Sequence, residues 1–73
     1  MPGLPVVSGR EAAKAFQRAG WTLARWRGSH MIFIKEGEEA TLSIPDHREL
    51  GRGLLRSLIR DAGLAVQEFI ELL

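Results

Sequence analysis

Apolar side chains at residues 12, 13, 16 and 19 recur at helical spacing, with Arg10, Glu11, Lys14, Gln17 and Arg18 on the other side. That period belongs to a helix with one buried stripe. Ser8-Gly9-Arg10-Glu11 has the form of a capping box, in which the serine oxygen accepts a first-turn N–H and the glutamate reaches back. Gly20 is placed to close the helix in a left-handed conformation, so the pattern predicts a helix over residues 9–19. The pattern then changes to short runs bounded by glycine. Residues 21–26 are aromatic-rich and lie between Gly20 and Gly28, residues 30–35 form a second run, and residues 40–44 a third that Pro45 stops. Glu36-Gly37-Glu38-Glu39 is a charged turn between the last two. Connections this short force an antiparallel meander with the second strand in the centre.

Alternation along that central strand puts His30, Ile32 and Ile34 on one face and Met31, Phe33 and Lys35 on the other. Both faces are apolar, so the pattern does not select the one that helices cover. Trp21 and Trp26 alternate to opposite faces; Trp21 is assigned to the core, and Trp26, close to the turn, to contact with RNA or a partner protein.

A loop through Asp46, His47 and Gly51 leads to a second helix over residues 52–62, with Leu54, Leu55, Leu58, Ile59 and Ala62 as its buried stripe. Arg52, Arg56 and Arg60 are four apart and line one border of it. Gly63 ends this helix, and Val66, Phe69, Ile70 and Leu73 face inward from a short terminal one. The expected fold is α+β: helix, three-stranded antiparallel sheet, helix and a short C-terminal helix, with the helices on one side of the sheet. One domain spans residues 1–73, of which 1–7 form an irregular lead-in.

Composition narrows the chemistry. A chain of 73 residues buries only about 60% of its unfolded surface, so one modest core must suffice. The absence of cysteine excludes a disulfide scaffold, a thiolate metal site and a cysteine nucleophile, and suits a reducing cytoplasm. No apolar stretch reaches the roughly 18–20 residues that cross a bilayer, and no charged-then-apolar leader opens the chain. A net charge of +1 is not a nucleic-acid signature, but eight of the ten basic residues are arginine and six of those fall from Arg25 onward. Acidic residues cluster apart from them at Glu36, Glu38, Glu39, Glu68 and Glu71, which leaves room for a basic face on a nearly neutral protein.

The candidate chemistry gathers at Gly28-Ser29-His30, between Arg25, Arg27 and the apolar run that ends at Lys35. Histidine, with an ordinary pKa of about 6.5, exchanges a proton near neutrality. Guanidinium offers planar donors that suit phosphate oxygens. Together they point to a phosphodiester, RNA before DNA. Arg25, Arg27 and Lys35 flank the imidazole along the chain or across the hairpin, and Ser29 is placed to donate to a phosphate or to position His30. Arg52 and Arg56 would track an RNA backbone or meet an acidic protein surface. His47 is a candidate general acid, although a loop histidine beside Asp46 also serves to stabilise a turn. Two histidines at these positions make no metal site, and no cofactor is expected. Two other readings stay open. One is a non-catalytic double-stranded RNA-binding module that uses the arginines of the second helix; the other is a small subunit that docks on a protein through residues 66–73.

Several short motifs, in order and at their spacing, carry a family resemblance. These are Gly20-Trp21, Gly28-Ser29-His30, Ile44-Pro45 with His47 shortly after, Gly53-Leu54-Leu55-Arg56-Ser57-Leu58-Ile59, and Ala62-Gly63. The set resembles the HicA family, the mRNA-cleaving toxins of bacterial and archaeal toxin–antitoxin pairs, from about Ser8 to Leu73. The chain departs from that pattern in three places. Leu54 stands where threonine is frequent, Ala65 where serine or threonine caps the terminal helix, and Met31 where a second histidine is common. The resemblance implies a fold similar to double-stranded RNA-binding domains and ribonuclease action centred on His30. It also implies neutralisation by a HicB-type antitoxin. As general base, His30 would take the proton of a ribose 2′-hydroxyl, which then attacks the adjacent phosphorus without a metal.

Overall fold

The computed structural model describes residues 3–73 and contains, in order, α1 (Gly9–Arg18), β1 (Thr22–Arg27), β2 (His30–Ile34), β3 (Leu42–Pro45), α2 (Arg52–Asp61) and α3 (Val66–Leu72). The elements are those the periodicity predicts, with ends moved by one or two residues. At the start of α1 the Ser8 hydroxyl accepts from the Glu11 N–H at 3.0 Å, and Glu11 Oε1 accepts from the Ser8 N–H at 2.8 Å. Gly20, at φ +102°, then turns the chain out of the helix. The sheet order is β1-β2-β3, fully antiparallel, with β2 in the centre.

The helices cover the Met31 and Phe33 face. Both side chains join Leu42 and Ile44 of β3, Ala12 and Phe16 of α1, Leu55, Leu58 and Ile59 of α2, and Phe69 of α3 in one core. The Phe16 and Phe69 rings meet at 5.1 Å between centroids and clamp α3 onto α1. Gly9 fits at the junction of α1 and β3, because a Cβ there would overlap the Pro45 carbonyl oxygen. Its N–H donates to the His47 carbonyl at 2.9 Å, which fixes the start of α1 to the end of β3.

Three sequence expectations are corrected. Leu54 leaves the α2 stripe and stands 40% exposed, since the stripe that meets the sheet runs through Leu55, Leu58, Ile59 and Ala62. Leu73 is exposed, and Leu72, one turn after Phe69, packs against the core instead. The lead-in carries no helix or strand over residues 3–7, yet Leu4 and Val7 are buried in the core, and residues 1–2 of that expectation lie outside the described residues. The third correction concerns the face of Trp26. Ala24 is an extra residue in β1, because Leu23 pairs with Phe33 while Arg25 pairs with the next residue, Ile32. Such a bulge reverses the side to which every later residue points. Trp26 therefore pairs with Met31 on the helix side, the same side as Trp21, where strict alternation would have separated them.

The α3 start has half a cap. Ala65 has no side-chain oxygen to offer, and only the reverse bond forms, from the Ala65 N–H to Glu68 Oε1 at 2.8 Å.

Candidate active site

The same bulge builds the site. Without it Arg25 and Arg27 would share the core side with Trp21 and Leu23. With it, Arg25 pairs with Ile32 and Arg27 with His30, so both guanidinium stems rise from the face that the helices leave open. Gly28 and Ser29 are the two loop residues of the hairpin. Gly28 has φ +59°, while no non-glycine among the described residues has a positive φ, the sign pattern of a type II′ turn. This turn ends directly on His30.

Antiparallel partners stand about 4.5–5.5 Å apart at Cα and diagonal neighbours about 7–8 Å. Arg27 is thus the cross-strand neighbour of His30, and Arg25 is within side-chain reach on its diagonal. His30, Arg25, Arg27 and Ser29 are all exposed to solvent. None of the side-chain hydrogen bonds among the described residues occupies the imidazole. It does not cap its own turn, and both ring nitrogens are open to a ligand. On the other flank His30 pairs with Pro45, and the Asp46 N–H donates to the Ser29 carbonyl at 2.9 Å.

Lys35 does not belong to this site. It lies beyond the far end of β2, about 16 Å from His30 at strand rise, and its ammonium donates to the Ala19 carbonyl at 3.0 Å. Its stem crosses Gly20, and its charge satisfies the C-terminus of α1. Arg52 and Arg56 are exposed on α2, in the helix layer behind the sheet, and do not join Arg25 and Arg27. His47 is exposed two residues after the β3 partner of His30, at the same end of the sheet, and only its carbonyl is engaged.

Two residues that sequence reasoning left outside the site are brought to its border. Arg10 grips Asp46 through Nε–Oδ1 at 3.0 Å and Nη2–Oδ2 at 3.1 Å, and its guanidinium lies 5.7 Å from the Trp26 ring centroid. The pair ties α1 to the backbone that holds Ser29. Its members are 36 residues apart, so no local pattern could reveal them. The hydrogen bonds from Arg10 hold the Asp46 carboxyl below the ordinary carboxylate value, against a smaller opposing effect of burial and with help from the charges of Arg10 and His47. A carboxyl whose pKa is lowered by folding stabilises the fold above its unfolded pKa. That contribution is lost as pH falls through the folded value. Thermal melts from neutral pH into that acid range are expected to show a small loss that Asp46→Asn removes, small because the pair is exposed.

No concave pocket forms among the described residues, and no three His, Asp or Glu side chains gather as a metal site would require. No helix among them is long and apolar enough to cross a membrane. The arrangement is an open, cationic sheet face with one free imidazole at its end, suited to a polymer that lies across it rather than to an enclosed small molecule.

Comparison with known proteins agrees with the fold. A search of curated proteins finds no match. A solved toxin–antitoxin complex from Streptococcus pneumoniae contains a chain of 32% identity and TM-score 0.71, with 80% of this chain and 98% of that chain covered. Residues 9–64, which contain His30 and every other site candidate including His47, match the family model of the HicA toxin of bacterial toxin–antitoxin systems. On that match and that structural likeness, the chain belongs to the HicA toxin family.

Proposed function

We propose that this protein is a toxin ribonuclease that cleaves mRNA through His30. The observation that carries the reading is the pairing of an exposed, uncommitted imidazole with Arg27, with Arg25 on the same open face. His30 takes the proton of a ribose 2′-hydroxyl, and the 2′-oxygen attacks the adjacent phosphorus in line. The bond to the 5′-oxygen breaks, leaving a 2′,3′-cyclic phosphate and a 5′-hydroxyl. The leaving oxygen takes a proton from the imidazolium, from water or from His47, the other histidine at this end of the sheet.

Arg27 and Arg25 neutralise the phosphate and the charge that builds on it in the transition state, and the Ser29 hydroxyl donates to a non-bridging oxygen. These groups supply acid–base and electrostatic help without a metal. Membership in a toxin family, and likeness to a chain from a toxin–antitoxin complex, support a protein partner that silences the enzyme. We assign that partner to the HicB type, and the site of action to the cytoplasm, where mRNA is translated.

The test is an RNA oligonucleotide carrying a single 2′-deoxy nucleotide at its cleavage point. Cutting of the all-ribose strand to a cyclic phosphate end, and no cutting at the deoxy position, is the expected result. Cleavage of the deoxy position would refute the mechanism.

A further inference from the structure

The open face extends well beyond the imidazole, and the mechanism leaves its far half unused. Ile32 and Ile34 continue the His30 row along β2; Ile32 is buried among its neighbours, but Ile34 is 46% exposed although nothing in the fold requires an apolar residue there. Across the sheet the face is asymmetric. On β1 it carries Arg27, Arg25 and Thr22, on β3 only Pro45 and Ser43, so all its positive charge lies along one edge.

From this we infer that one strand of RNA crosses the open face parallel to β2, phosphates on the β1 arginines, with the base of a flanking nucleotide resting on Ile34. The inference rests on the ribonuclease reading and names the substrate form and a subsite of the same site.

Charge complementarity selects the occupant. A duplex presents two phosphate backbones, and the face offers cations to one. Three strands span only about 10 Å, so a second backbone would lie beyond β3, where the open-face residues are uncharged. The α2 arginines cannot serve it, because the sheet stands between them and the face. The row from His30 to Ile34 covers about 13 Å at strand rise, several times the roughly 3.4 Å step of a stacked strand. Room therefore exists for nucleotides beyond the scissile phosphate. An aliphatic floor makes van der Waals contact with any base and forms no hydrogen bond with its edge, so this subsite is tolerant of base identity.

The experiment measures binding to the full chain carrying His30→Ala, which removes cleavage. The probes are a labelled single strand of RNA and the same strand annealed to its complement, each titrated over a range of salt. The single strand is expected to bind at least about tenfold more tightly than the duplex. Adding Ile34→Ser should weaken single-strand binding by about tenfold through lost apolar contact. Adding Arg25→Ala should reduce the slope of log affinity against log salt by about 0.7, the value for one phosphate contact on a single strand. Arg52→Ala with Arg56→Ala should change neither.

Ile34 and Arg25 are exposed, so these variants keep the fold, which circular dichroism checks. Equal affinity for duplex, or loss confined to the α2 variants, overturns the inference. If those results accompany normal cleavage by the parent chain, the ribonuclease reading survives and only the track falls. If no form of the chain binds or cuts RNA, both fall.

Discussion

Replacing His30 by alanine lowers RNA cleavage by about 10²–10⁴-fold, the usual worth of a general acid or base, and leaves the chain folded. The two halves of that expectation have separate grounds. His30 is exposed, makes no side-chain hydrogen bond among the described residues and sits outside the core, so its loss opens no cavity. Surface changes of this kind stay within about 0.5 kcal/mol of neutral. Catalysis, by contrast, loses the one imidazole that the strands carry on the open face. Single-turnover cleavage of an RNA oligonucleotide measures the first half and a thermal melt the second. In bacteria the same variant should relieve growth arrest caused by the unaccompanied chain. A variant as active as its parent would remove His30 from the mechanism. The pH–rate profile of His47→Ala then tells whether the other histidine is the acid, because loss of one limb of the profile marks a group that must hold its proton.

Phe69→Ala is expected to cost about 3–5 kcal/mol, the largest stability loss of any single change considered. Phe69 is the one fully buried side chain of α3, and it closes the core against Phe16 of α1. Its removal leaves a void at the meeting point of two helices and frees α3, whose start is only half capped. Folded domains hold about 5–15 kcal/mol in total, and small ones lie toward the lower end. Each kcal/mol moves the melting midpoint of a chain this size by about 4–8 °C, so the midpoint should fall by tens of degrees. Leu73→Ala is the control: the side chain is 45% exposed, and its truncation should move the midpoint little. Equal effects of the two would mean that α3 does not seal the core.

How far the sequence reaches can be judged from particular residues. The capping box at Ser8 and Glu11, the turn at Gly28, and the stripe of Leu55, Leu58 and Ile59 all form as their spacing predicts. Each is a contact among residues close in the chain, and local chemistry decides it. Leu54 and Leu73 depart from their pattern because a helical stripe has a width that spacing alone does not define, and the neighbours that cover its margins come from elsewhere in the chain. Lys35 is close to His30 in sequence, yet a strand carries its ends apart. The nearest unsatisfied partner of its ammonium was a helix carbonyl sixteen residues back.

The departures from the family pattern at Leu54 and Ala65 fall at helix starts, away from the open face. Met31 faces the core, where an apolar side chain packs, and not the row that holds His30.

From the amino-acid order alone came the helices, the hairpins, the central position of β2 and the placement of an imidazole at the tip of the first hairpin between arginines. Only the folded chain decided which side of the sheet those groups occupy. One unpaired residue, Ala24, turns Arg25 and Arg27 over to the face of His30 and sends Trp26 to the other, where Arg10 and Asp46 close around the hairpin. The reason is the two-residue period of a strand: a single insertion inverts everything after it, and the partner strand alone fixes where the insertion falls.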